Sequence, residues 1–246
     1  GMIRDAWAVT FRELLLMRRR SGRLLAAMAV SPLLYLVTFG HGVGRFVDVD
    51  GLGYAAFLLP GLAAMSSMTQ SFALASDINI ARFYWRIFEE IQASPVSPAA
   101  YVLGEMLAGL LRGVAGAAMV MLLGLAFGLC GRLGPVFWLA VALNAFFFAN
   151  TAVAVAMCVR SHGDQALLSN FVITPMAFLG GTFFPVDRLP AWARLAVDCI
   201  PLTHASRTIR QAWLGQPVDA WRLVLLAAMG LLALGIAVTL TRRAID

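Results

Sequence analysis

The chain has 246 residues, of which 61% are hydrophobic and 13% charged, with a mean hydropathy of +0.81. That balance lies outside the soluble norm and excludes a soluble domain of useful size. The net charge of +6 rests on nineteen basic residues, all arginine, and without a lysine no GxxxxGK[ST] phosphate loop can form, so ATP hydrolysis by that route is excluded.

Gly1 ahead of Met2 reads as a cloning remnant, and the charged, amphipathic start argues against a cleavable signal peptide. Residues 2–23, "MIRDAWAVTFRELLLMRRRSGR", place Trp7, Phe11, Leu14 and Leu15 at helical spacing, with Arg4, Asp5, Arg12 and Glu13 opposite. This predicts an amphipathic helix in the headgroup plane, either a basic anchor that sets topology or an elbow that transmits movement.

Six apolar runs follow, at 24–40, 54–75, 101–129, 135–158, 166–184 and 222–241, each about long enough for a helix to cross a bilayer. The sequence therefore predicts an all-α polytopic membrane protein of one domain, 1–246, with six transmembrane helices, an N-terminal interface helix and re-entrant outer helices between spans five and six. An even count puts both termini on one side, together with Arg4, Arg12, Arg18, Arg19, Arg20, Arg23, Arg82, Arg86, Arg160, Arg242 and Arg243. The short loops opposite carry Arg45 and Arg132, so the positive-inside rule makes the termini cytoplasmic.

Between spans two and three runs "SDINIARFYWRIFEEIQASPVSPAAYVLGE". Asp77 is read as the cap of a short helix presenting Phe83, Trp85, Ile87 and Phe88 among Arg82, Arg86, Glu89 and Glu90. Ser94-Pro95 ends that helix and Ser97-Pro98 starts the next. The segment is either an interfacial loop in lipid headgroups or a docking peg for a soluble partner.

Span three carries Glu105 and Arg112, seven residues apart on one helical face. They form either a polar translocation wall or an interfacial pair sharing a salt bridge. The second reading is stronger, because both charges sit near the inner end, where insertion costs less. Gly109/Gly113 and Gly124/Gly128 make small-xxx-small pairs suited to close helix approach. Asn144 and Asn150 in span four are read as interhelical hydrogen-bond donors.

In span five, Thr174-Pro175 and Gly180-Gly181 mark where the helix can kink or break. "FFPVDRLP" turns the chain back; "AWARLAVDCIP" then puts Trp192, Leu195 and Cys199 on one face, and "THASRTIRQAWLG" follows with Thr203 or Ser206 as cap. Two short amphipathic helices re-entering the outer leaflet fit this pattern. A surface loop with aromatic anchors and a lid over a pathway are the readings left open.

Nothing in the sequence has the form of a catalytic or metal centre. His41, His162 and His204 fall on scattered loop positions, and Cys130, Cys158 and Cys199 have no ligand spacing, although Cys130 and Cys199 share a side on which they could pair.

The loops carry a family resemblance. "ITPMAFLGGTFFPVDRLPAWARLAVDCIPLTHASRTIRQAWLG" resembles the signature region of type-2 ABC exporter permeases, and "FEEIQASPVSPAAYVLGE" is similar to their first cytoplasmic loop. "GVGRFVDVDGLGYAAFLLPG" most resembles the nodulation-factor (lipo-chitooligosaccharide) and related drug-efflux permeases.

The resemblance implies an inner-membrane half-transporter that dimerises, contains no cofactor, and recruits separate ATPase subunits that bind ATP and Mg. It implies that 77–98 is the ATPase-coupling segment, with Phe83, Trp85, Arg86, Phe88, Glu89, Glu90, Ser94 and Pro95 as contacts. It also implies that 185–213 forms outer re-entrant helices, with Gly180, Gly181, Phe184, Pro185, Pro190, Trp192 and Pro201 at an outer gate. The substrate class it implies is amphipathic: a lipo-oligosaccharide, lipid or drug. The rival reading, a self-sufficient channel or secondary transporter, predicts charge relays and internal repeats, of which only Glu105 and Arg112 could be part.

Overall fold

The computed structural model describes residues 2–19, 21–44, 48, 49, 51–84, 97–159 and 161–245. Helix α1 (Met2–Arg19) leads to α2 (Ser21–Tyr35), which continues as a π-helical stretch, Leu36–Val43. A two-residue hairpin pairs Asp48–Val49 with Leu52–Gly53, turning at Gly51, whose φ of 80° suits a residue without a Cβ. There follow α3 (Tyr54–Phe72), α4 (Leu74–Phe83), α5 (Pro98–Ala126) and α6 (Pro135–Cys158). Then come α7 (His162–Leu168), a π turn (Ser169–Ile173), α8 (Thr174–Leu179), α9 (Ala191–Asp198), α10 (Pro201–Leu214) and α11 (Ala220–Ile245).

Several boundaries follow from local chemistry. Ser97 caps α5 by accepting from the Ala100 N–H at 3.2 Å, with Pro98 in the first turn, where its missing donor costs nothing. α10 starts on Pro201 and stops at Gly215, which takes the left-handed conformation. The break foreseen around Thr174-Pro175 lies one turn earlier. Pro175 has no N–H to bond back, and the helix widens into the π turn, with the Thr174 hydroxyl donating to Ser169 O at 3.1 Å.

Among the described residues, four stretches are long and apolar enough to cross a membrane: 21–40, 98–126, 135–158 and 220–244. The other two foreseen spans are helical but differ in kind. α3 is buried along almost its whole length and carries Ser66, Ser67 and Ser71 inside the protein. Those hydroxyls face neighbouring helices and so need no lipid-compatible surface. The 162–179 stretch is divided by the π turn.

The core forms where α3, α5 and α6 meet, with α10 and α11 packed on its flanks. Close approach depends on small residues: a Cβ on Gly109 would press on Ala149 at 2.8 Å, and one on Gly113 would run into the Ser71 hydroxyl and Ala145. Gly124 lies against Leu59 in the same way, but Gly128 does not pack; it turns the chain after α5 with φ 76°. Gly113→Val should therefore cost about 1–3 kcal/mol by overpacking, read as a lower thermal midpoint in detergent, whereas Gly128→Asn should cost less.

Candidate functional site

One end of the candidate site is built on a chain reversal. α8 ends at Leu179; Gly180 and Gly181 then turn under α10, Gly181 with φ 74°. A Cβ on Gly180 would strike Leu202, and one on Gly181 would strike Val186 at 2.8 Å, so the pair is a tight wedge and not a free hinge. The Ser206 hydroxyl lies 2.6 Å from Gly180 O, and the Tyr54 hydroxyl donates to Phe183 O at 2.6 Å, tying the turn to α10 and to α3. Tyr35, Phe39, Phe178 and Phe183 form one ring cluster beside it, with centroids 5.1–6.3 Å apart.

Arg210 sits at the centre of this arrangement. Its Nε donates to Phe57 O at 3.2 Å, its Nη2 to Gly181 O at 2.8 Å, and its guanidinium lies 3.9 Å from the Phe57 ring centroid. Burial draws the group down to about 10, so it is still a cation at neutral pH. Gly61 makes the approach possible, because a Cβ there would lie 2.9 Å from the Thr182 backbone and 3.0 Å from Arg210.

One turn earlier, Arg207 takes a different role. It binds Asp187 and Asp198, each at 3.0 Å, and so joins α10 to the 185–190 turn and to α9. Arg194 donates to Asp187 O at 2.5 Å. Of the predicted outer-gate residues, Gly180, Gly181 and Pro201 are buried, Phe184 and Pro185 partly so, and Pro190 and Trp192 are exposed. Trp192, Leu195 and Cys199 do share one face of α9, and it points away from the protein. Cys130, Cys158 and Cys199 are free thiols.

Neither Thr203 nor Ser206 caps α10, which begins two residues before the first of them. His204 lies in α10 and not in a loop, is nearly buried, and has Nε2 2.8 Å from Asp198 O. Burial lowers its pKa.

At the opposite end, Asp77 is not a cap but lies inside the first turn of α4, where it binds Arg112 at 2.6 Å. Glu105, buried in α5, is bound at 3.1 Å by Arg12 of α1. Thus Glu105 and Arg112 do not pair with each other; each joins α5 to a different element. Around Glu105, α1 is pressed close to α5: a Cβ on Gly104 would meet Val9 at 2.5 Å, and the Thr10 hydroxyl lies 3.2 Å from Gly104 O. Asn79 donates to Gln165 at 2.9 Å, and Arg82 donates to Ala156 O at 2.8 Å.

Asn144 crosses to Ala64 O at 3.1 Å, but Asn150 bonds its own helix at Phe146 O. Phe83 closes α4, partly exposed; Trp85, Arg86, Phe88, Glu89, Glu90, Ser94 and Pro95 lie outside the described residues. Among the described residues no His, Cys, Asp and Glu cluster could hold a metal.

Residues 4–214 match the ABC-2 type transporter family. The chain belongs to that family. It is 30% identical over 221 residues to nodulation protein J of Rhizobium leguminosarum bv. viciae, covering 86% of this chain and 83% of the relative. It is 34% identical over 197 residues to nodulation protein J of Rhizobium meliloti strain 1021, covering 76% and 72%. It is 27% identical over 193 residues to the inner membrane transport permease YadH of Escherichia coli K12, covering 78% and 75%. The chain is thus an ABC transporter permease, a membrane protein of the transport class. The ABC-2 match includes α1 with its Arg12–Glu105 contact and runs through the Arg210 wedge, so both ends of the candidate site lie within the family region.

Proposed function

We propose that this permease is the membrane-spanning subunit of an ATP-driven exporter that carries an amphipathic substrate out of the cytoplasm or the inner leaflet. The substrate is a lipo-oligosaccharide, a lipid or a drug. The observation that carries the reading is the family match over residues 4–214, which takes in both the outer wedge and the segment between α4 and α5. The chain works as a dimer in the bacterial inner membrane, with six spans, both termini cytoplasmic and α9–α10 re-entering the outer leaflet. Transport proceeds by alternating access at the dimer interface. ATP and Mg are bound by a separate ATPase, and the absence of lysine supports that division of labour.

Energy enters through 77–98. Asp77, Asn79 and Arg82 bind that segment's first helix to α5, to α7 and to the end of α6, so a push there reaches three helices together. The test is affinity purification of the tagged protein in mild detergent, followed by mass spectrometry and an ATPase assay. A stoichiometric ATPase should be recovered. Glu89→Arg with Glu90→Arg should abolish substrate-dependent stimulation of its turnover, by about tenfold or more for loss of charged docking contacts. A solitary permease in detergent and in membranes, or a charge-reversed variant with unchanged coupled activity, contradicts the reading.

A further inference from the structure

α10 meets the end of α9 and the start of α11 around one imidazole. His204 is 7% exposed. Its Nε2 lies 2.8 Å from Asp198 O, and because a carbonyl only accepts, Nε2 carries the proton. Nδ1 is then the bare nitrogen of a neutral ring, and among the described residues it is buried without a hydrogen-bond partner. The ring meets Trp221, the second residue of α11, edge to face, with centroids 5.5 Å apart.

The charged groups around it come from three helices. Burial lowers the His204 pKa, and Arg222 of α11 and Arg207 of α10 act in the same direction. The carbonyl and carboxylate of Asp198, at the end of α9, act against that shift. The Asp198 carboxylate is already bound by Arg207 at 3.0 Å, and Asp219, just before α11, lies 2.9 Å from Arg222. A proton arriving on Nδ1 would therefore make a buried N–H without an acceptor and a third positive charge beside two arginines. Both costs disappear when the ring turns out to water.

We propose that His204 is a pH-sensitive latch: neutral, it holds α10 against the start of α11, and protonated, it releases that contact. The sign follows from proton linkage. The open junction binds the proton more readily than the closed one, so the latch is at full strength above the ordinary histidine value of about 6.5 and weakens as pH falls below it. The pairs of Arg207 with Asp187 and Asp198 do not involve the imidazole, so they keep α10 tied to α9 while α11 loosens. On the export reading α10 lies at the outer leaflet, and the latch then answers to acidity outside the cell. Only that sidedness rests on the export reading; the latch itself needs the packing alone.

The full-length protein in nanodiscs, with any ATPase that copurifies, is followed by hydrogen–deuterium exchange at about pH 7.5 and about pH 5.5, each rate divided by its intrinsic value at that pH. In wild type, peptides covering 200–208 and 220–226 should exchange several-fold faster at the lower pH. His204→Gln can still donate to Asp198 O but takes up no proton in this range, so its corrected rates should be the same at both. The chain has three histidines, and the double variant His41→Gln with His162→Gln, which leaves His204 alone, should keep the wild-type response in full. An acid response of equal size in wild type and His204→Gln overturns the proposal. So does a wild-type junction indifferent to pH, or a response lost in the double variant, which also decides the matter if His204→Gln does not fold. None of these outcomes depends on recovering an ATPase, so the latch and the export reading stand or fall separately.

Discussion

Arg210→Ala should lower the thermal midpoint of the purified permease by about 5–10 °C, corresponding to about 2–4 kcal/mol for a chain of this size. The magnitude comes from two charge-assisted hydrogen bonds, to Phe57 O and Gly181 O, and from the guanidinium over the Phe57 ring. The relief of a desolvated charge that makes no direct ion pair among the described residues offsets part of it. Arg210→Lys keeps the charge but not the fork that reaches two carbonyls at once, so it should recover less than half of the loss. A lysine variant as stable as wild type would show that charge, and not geometry, holds the wedge.

The same contact predicts a local opening. Thr182 is 0% exposed, closed in by Gly61 and the arrival of Arg210. With the native cysteines Cys130, Cys158 and Cys199 replaced by serine, a Thr182→Cys thiol should react slowly with a maleimide in the Arg210 background. In the Arg210→Ala background it should react many times faster at temperatures well below unfolding. Equal rates would mean that Tyr54 and Ser206, through Phe183 O and Gly180 O, hold the reversal without Arg210.

The contrast between Arg207 and Arg210 shows where sequence reading stops. Both are arginines on one short amphipathic helix, three residues apart. One meets two aspartates and the other two main-chain carbonyls and a ring, and that difference arises from α3, some 150 positions earlier in the chain. Asp77 is a similar case. Aspartate favours helix caps, so the local signal pointed to one, but a cation 35 residues away claims the carboxylate.

The apolar runs were legible because length and hydropathy are local quantities. Four of the six are long and apolar enough to span, while α3 and the 162–179 stretch depart for reasons of burial and of Pro175. The Glu105–Arg112 reading failed on geometry that was available from the start. Seven residues put two side chains on one face but about 10 Å apart along the axis, beyond the reach of a direct ion pair, so each had to find a partner elsewhere. The loop pattern was legible as a family resemblance, whereas the contacts that tie it to α3, Arg210 to Phe57 O and Tyr54 to Phe183 O, were not, since they join segments far apart in the chain.

Arg12→Leu should destabilise the protein more than Glu105→Gln, although both break the same contact. Glu105 is 1% exposed, and without Arg12 a buried carboxylate loses its ion-pair partner; Arg12 alone keeps water on one side and Glu13 at 2.8 Å. Breaking a fully buried pair costs about 3–5 kcal/mol, and the water-facing edge of Arg12 places the expected cost at the lower end. The double variant Arg12→Leu with Glu105→Leu should then regain most of the loss, because a buried pair replaced by apolar groups of similar size is often neutral. That restored protein separates anchoring from transmission. If α1 acts as an elbow, the double variant should be stable yet carry movement poorly between α1 and α5, and its substrate-stimulated ATPase should fall while basal turnover holds. A double variant that is both stable and fully coupled would reduce the Arg12–Glu105 contact to an anchor, with Gly104, Val9 and Thr10 sufficient to hold α1 in place.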